Sequence, residues 1–172
     1  MGFENMRLQE GFLMDKMKIK VGVIGISPGA GETFVARALD YYLNIKDAPR
    51  VLVSRPDKYE IVEGPGYLGD LDVIVGVIDP LPSRIKEGVP KFAVLKATEG
   101  VLWLVNKDNT GVDHRELKKF LELDDYFSQE ALNYETVCRA EYSCEKVERR
   151  YSLKGIESLA NEIKKTMSNC PS

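Results

Sequence analysis

Between Ile26 and Thr33 the chain reads Ile-Ser-Pro-Gly-Ala-Gly-Glu-Thr, directly after Lys18–Gly25 (KIKVGVIG), a β-branched run ending in glycine. A glycine-rich loop between a buried strand and a helix is the setting in which backbone N–H groups converge on an oxyanion. Gly29 and Gly31 would supply the turns, and the N-terminus of the next helix adds positive potential. Thr33 follows Gly31 at the spacing that presents a hydroxyl to a magnesium ion, but Glu32 stands where such a loop carries its phosphate-binding lysine.

Other candidates are open to plainer readings. Asp79 ends an apolar run and is followed by Pro80 and Pro82, so it reads as a residue that caps and turns the chain rather than as a metal-binding or catalytic carboxylate. Asn106 and Lys107 stand just beyond a strand end, on the rim where such sheets bind ligands, and Asn-Lys-Asp-Asn is equally ordinary turn chemistry; both readings stay open. His114, the sole histidine, follows a helix cap without a partner at triad or metal spacing and reads as a surface residue. Without a Cys-His pair and its own domain, glutaminase chemistry is excluded. Cys138, Cys144 and Cys170 match neither a redox pair nor a zinc knuckle and read as reduced thiols, with a site shared between subunits left open for the first two. Arg139, Lys146, Arg149 and Arg150 interleave with Glu141, Glu145 and Glu148, the pattern of a solvated face; a phosphate or partner contact is the alternative, and Tyr142 and Tyr151 would suit a protein interface.

The elements that must position these groups are legible from periodicity. After the loop, Phe34, Val35, Ala38, Leu39 and Tyr42 share one face of a helix. Arg50–Ser54 and Tyr59–Glu63 read as two strands whose four-residue link is too short for a parallel crossover, which predicts an antiparallel hairpin at one edge of the sheet. Asp72–Asp79 (DVIVGVID) and Val101–Val105 (VLWLV) are continuous apolar strands. A helix from about Ser83 to Ala97 is expected to break or kink at Gly88 and Pro90. Asp113 and Glu116 have capping-box spacing, with Leu117, Phe120 and Leu121 as the apolar face behind them. A short strand is expected at Glu135–Cys138, and Leu153, Ile156, Leu159, Ala160 and Ile163 mark an amphipathic terminal helix. The alternation predicts a single α/β domain with a mostly parallel sheet and helices on both faces.

The 172 residues allow one domain; 44% hydrophobic and 30% charged residues describe a chain able to bury a core. The net charge is −3, with 24 basic residues scattered rather than gathered, so no nucleic-acid footprint is visible. No apolar run reaches the roughly 18–20 residues of a membrane span. Glu4, Glu10 and Asp15 interrupt the opening segment where a secretory signal would be apolar, so residues 1–17 are expected to be an N-terminal leader, with Met17 as an alternative start, on a cytoplasmic domain at 18–172.

The order of these features resembles the ParA/MinD/CobQ-type P-loop ATPases, whose nucleotide domain also occurs in cobyrinic acid a,c-diamide synthase. The family loop reads approximately GKGGxGK[ST]; here ISPGAGET keeps Gly29, Gly31 and Thr33, while Ile26 replaces the first glycine, Ser27 the signature lysine and Glu32 the phosphate-binding lysine. Tyr59–Gly66 (YEIVEGPG) resembles the family's switch segment, with Glu63 where its Asp handles magnesium or water. Asp72–Pro82 and Trp103–Lys107 (WLVNK) are similar to the next two strands, the latter ending in the Asn that reads the base. The likeness spans about residues 18–121. It implies a P-loop NTPase-like fold and a site for ATP or ADP with Mg2+, with Ser27, Gly29, Ala30, Gly31, Glu32, Thr33, Asn106 and Lys107 around the nucleotide. It also implies Thr33 on the metal, Glu63 as the catalytic carboxylate, and a homodimer.

The exchange of lysine for Glu32 alters the local charge by two units. At about 4 Å and an effective dielectric near 20, each unit interaction is worth roughly 4 kcal/mol, which disfavours a triphosphate unless another cation compensates. Two functions follow. One is a degenerate, non-hydrolysing binding or regulatory module that uses its rim for a protein partner or for nucleotide without turnover. The other is an active Mg-dependent ATPase or ATP-driven amide-forming synthase, with Arg55, Arg84 or another chain's basic residue replacing the lysines.

Overall fold

Buried on both faces, the apolar runs assemble into one five-stranded sheet. The computed structural model describes residues 19–44, 51–54 and 65–168. The strands are β1 (Ile19–Gly25), β2 (Val51–Ser54), β3 (Val73–Ile78), β4 (Leu102–Asp108) and β5 (Phe127–Glu130), in spatial order β2-β1-β3-β4-β5, and every neighbouring pair is parallel. This is one of the two common doubly wound orders, in which the sequence reverses direction between β1 and β3 and leaves a crevice beyond their carboxyl ends. An α/β fold with such a sheet is compatible with Rossmann-like and P-loop folds alike.

Residues alternating along the strands serve two separate cores. Val21, Val23, Val73, Val75, Val77 and Leu104 meet the helices α1 (Glu32–Leu43), α4 (Tyr134–Tyr142), α5 (Val147–Arg150) and α6 (Lys154–Ser168) on one face. Ile24, Ile74, Ile78, Trp103 and Val105 meet α2 (Pro82–Lys96) and α3 (His114–Leu121) on the other. Leu39, Leu43, Leu153, Ile156, Leu159 and Ile163 are fully buried, so α1 and α6 carry most of the first core.

Several expectations are corrected. Val51–Ser54 pairs parallel with β1, and no antiparallel hairpin is seen among the described residues; its expected second strand, 59–63, lies outside them. The leader (1–17), Arg55, Glu63 and Cys170 also lie outside the described residues. Helix α2 runs unbroken through Gly88 and Pro90. Gly88 is required there because a Cβ would lie 2.8 Å from the Ile26 carbonyl oxygen, so the helix rests directly on the start of the glycine loop. The expected strand at Glu135–Cys138 is part of helix α4, started by Asn133, whose side chain accepts from Thr136 N. The fifth strand is instead Phe127–Glu130 (FSQE), too short and too polar for periodicity to reveal. Phe120, expected on the buried face of α3, is 60% exposed, because Leu117 and Leu121 alone reach the sheet. Among the described residues no helix is long and apolar enough to cross a membrane.

Candidate functional site

The glycine loop leaves β1 as the last rung of the sheet, Ile26 N donating to Val77 O at 2.9 Å, and turns back through Ala30 N to Ser27 O at 3.1 Å. Gly29 and Gly31 have φ of 76° and 89°, a region closed to most side chains, so both glycines are dictated by the turn. Gly31 is also the N-cap of α1, whose first intrahelical bond runs from Val35 N to Gly31 O. Ser27 and Ala30 are buried, Thr33 is exposed in the first turn of α1, and no side chain caps the helix. The loop thus turns at its two glycines and opens α1 at Gly31 without a side-chain cap.

Charge is distributed differently from a lysine-bearing loop. Glu32 folds back over the end of β1: a Cβ on Gly25 would lie 2.7 Å from its Oε2. Lys91, from the middle of α2, donates to the carbonyl of the same Gly25 at 3.1 Å. At the other end of the loop, Lys107 donates to the carbonyl of Gly29 and, at 2.9 Å, to Oδ2 of Asp79. Its neighbour Asn106 is buried and donates to the Ala30 carbonyl at 2.9 Å, its amide nitrogen filling the space a Cβ on Gly31 would need. One ammonium group thus holds the backbone where β1 ends, and a second, with the Asn106 amide, holds the loop itself.

Asp79 ties the turn after β3 to the end of β4. Buried at the end of β3, it accepts Leu81 N on Oδ1 while its second oxygen holds Lys107. The capping role read from Pro80 and Pro82 is therefore present, joined by an ion pair that local sequence could not reveal. Arg84 pairs with Glu87 at 3.0 Å and lines the cleft rather than reaching the loop.

Beyond the carboxyl ends of β1, β3, β4 and β5 opens a cleft of about 1490 Å³. Gly31, Asp79, Asn106 and Lys107 form its floor, and Phe34, Leu81, Val112, Phe120 and Leu132 are among its apolar walls. Its place is the one expected for a ligand site in a doubly wound sheet. Leu81 and Phe120, each more than half exposed, stand at its mouth.

Beside the cleft, Asp108 ends β4 with its carboxylate buried. Oδ2 accepts from Ser128 Oγ and lies 3.0 Å from His114 Nε2, while Oδ1 has no partner among the described residues. His114 Nδ1 in turn lies 2.7 Å from the hydroxyl of Tyr126. Burial, and then the charges of Asp108 and Asp125, push the Tyr126 phenol above its ordinary value. His114 is half exposed as expected of a surface residue, but it has two partners that spacing did not disclose. Among the described residues no group of three carboxylate, histidine or cysteine side chains is placed to hold a metal ion.

Of the residues expected at a nucleotide site, Ser27, Gly29, Ala30, Gly31, Asn106 and Lys107 converge on one turn of backbone, with Glu32 and Thr33 opening the helix behind it. Lys91 and Asp108 were missed. Lys91 follows Pro90 on a helix whose periodicity is weak, and only the packing of Gly88 on Ile26 brings that helix within reach of β1. The sequence was searched against family models and against curated proteins, and no match was found in either.

Proposed function

We propose that the chain is a non-hydrolysing binding or regulatory module built on a degenerate phosphate-loop frame. The observation that carries this reading is Glu32 lying over Gly25 where a phosphate loop keeps its lysine. A carboxylate there gains about 0.3–1 kcal/mol from the helix dipole and repels the outer phosphates of a triphosphate. The loop's remaining features, positive-φ glycines and an uncapped helix N-terminus, suit a ligand with less charge. A homodimer or a protein partner on the same rim belongs to this proposal, and sedimentation with and without nucleotide reads it.

The rival reading, an ATPase or ATP-driven amide-forming synthase, draws support from Lys91 and Lys107, whose ammonium groups meet the end of β1 at Gly25 and the loop at Gly29. In it, Thr33 would hold magnesium, Glu63 would position water or the metal, and Asn106 would read the base. A thermal melt with Mg-ATP, Mg-ADP, Mg-GTP and phosphate separates the two, since a ligand at one hundred times its Kd stabilises by about 2.7 kcal/mol. The expected outcome is a small shift or none with Mg-ATP, no phosphate release, and a larger Mg-ATP shift in Glu32→Lys. Sustained phosphate release by the wild-type chain would establish the enzyme instead.

A further inference from the structure

We propose that the outward face of α4 pairs with the same face of a second copy of this chain, antiparallel, across a two-fold axis at Cys138. The pairing involves neither the cleft nor a nucleotide, and stands or falls apart from the function of the rim.

Helix α4 turns few side chains inward. Ala140 is its buried residue, set in the core that α1 and α6 share. At 3.6 residues per turn Cys138 lies opposite Ala140, and Tyr134 and Tyr142 flank it about 40° to either side, one turn before and one turn after. The three form a single outward stripe. Tyr134 is 85% exposed and Tyr142 90%, more than any other large hydrophobic side chain among the described residues. Neither makes a ring contact, a cation–π contact or a hydroxyl hydrogen bond among those residues, whereas Tyr41, Tyr42, Tyr126 and Tyr151 each do. Two tyrosines held outward around a small side chain, with charges on the shoulders, have the composition of an interface core and its rim.

The stripe is complementary to itself, which points to a second copy as its occupant. With the axis at Cys138, Tyr134 of each copy is level with Tyr142 of the other. The two rings lie on opposite sides of the stripe, so they pack side by side and enclose Cys138. Glu135 and Arg139 stand on one shoulder, ion-paired within the helix. The axis sets that shoulder against its own copy in reverse order, and each Arg139 comes to lie between the Glu135 of its own chain and that of the second copy. The row reads Glu, Arg, Arg, Glu and carries no net charge. Glu141, on the other shoulder, is level with the second copy's Tyr134 and not with a carboxylate.

Burying a tyrosine removes about 150–250 Å² from water, so four rings approach, without passing, the roughly 1,200 Å² at which transient interfaces give way to stable ones. The pair is therefore weak, with a Kd on the order of 100 µM.

Sedimentation velocity of the full chain without nucleotide, over a concentration series spanning that value, reads the pairing. A monomer–dimer equilibrium is expected, weakened at least about tenfold by Tyr134→Ser with Tyr142→Ser, both at positions outside the core. Glu135→Arg alone should weaken it too, and Glu135→Arg joined with Arg139→Glu should restore it, a rescue that no folding defect can produce. Oxidation by copper–phenanthroline tests the geometry. With helix axes about 10 Å apart and Cα atoms about 2.3 Å from each axis, the two Cys138 Cα atoms come about 5–6 Å apart, inside disulfide range. Cys144, past the end of α4, is carried to opposite ends of the pair. Although Cys144 is the more exposed thiol, Cys138 should crosslink in a Cys144→Ser, Cys170→Ser chain, and Cys144 should not in a Cys138→Ser, Cys170→Ser chain. A chain that stays monomeric would leave this face to a different protein and overturn the inference. A dimer indifferent to the tyrosine pair, or one that crosslinks as readily through Cys144, would overturn it as well and move the contact elsewhere.

Discussion

Glu32 and Lys107 exchange the signs that a phosphate loop usually presents: the acid opens the helix, and the cation comes from a strand two positions away in the sheet. Neither residue is unusual alone. Their consequence depends on where the backbone puts them, one over Gly25 and the other against Gly29. The same holds for Tyr126, whose phenol is raised by burial and by Asp108 and Asp125. A group whose pKa is higher folded than unfolded contributes stability that is complete below its unfolded value and is lost as pH rises through the folded one. Tyr126 should therefore ionise above the ordinary value of 10.0, seen as the ultraviolet difference titration of wild type minus Tyr126→Phe. Asp108→Asn should bring the midpoint part of the way back, since burial remains the larger cause.

Helix α2 and strand β4 position the site through departures from regularity. In α2, Gly88 exchanges helix propensity for contact, letting the helix lie on Ile26 and deliver Lys91 to Gly25. Gly88→Ala raises intrinsic helix propensity by about 1 kcal/mol. A Cβ there meets Ile26 Cγ2 at 2.3 Å and its carbonyl oxygen at 2.8 Å, a clash with backbone that the loop must yield to. Overpacking of this kind costs about 1–3 kcal/mol, so the net outcome in a denaturant melt should be destabilisation. A neutral or stabilising result would show that the loop is pliant rather than braced. In β4 a bulge does the opposite work, adding a residue so that Asn106 and Lys107 serve one target.

At the scale of the whole molecule, the two cores have different duties. The α2/α3 side supports the cleft, and the α1/α6 side ties the helix behind the glycine loop to the far edge of the sheet. The Tyr42 hydroxyl of α1 accepts from Leu153 N at 3.0 Å, and Gln129 of β5 accepts from Gly155 N and Ile156 N in the first turn of α6. Arg37 Nε lies 2.9 Å from the buried Glu148 Oε1, at an angle outside hydrogen-bond geometry, so the pair acts through charge. Leu159→Ala, at a fully buried position of α6, should cost about 2–5 kcal/mol in chemical denaturation. Because the loss falls on the core shared by α1, the glycine loop should unfold with the domain in one transition and not before it.

The apolar runs within Lys18–Gly25, Asp72–Asp79 and Val101–Val105 pointed to the parallel α/β class by themselves, because near-continuous apolar stretches of this length mark strands covered on both faces. Gly29 and Gly31 likewise announced the loop, and Asp113 the start of α3, since turn and cap chemistry is local. The parallel pairing of the edge strand β2, the polar strand β5, the continuity of α2 past Pro90 and the partners of His114 were decided by tertiary structure. Each depends on a neighbour distant in sequence: β1 for β2, β4 for β5, Ile26 for Gly88, Asp108 and Tyr126 for His114. The cation at the glycine loop belongs with these. Lys107 reaches Gly29 across 78 positions of chain, through a one-residue bulge that leaves no mark on hydrophobic periodicity.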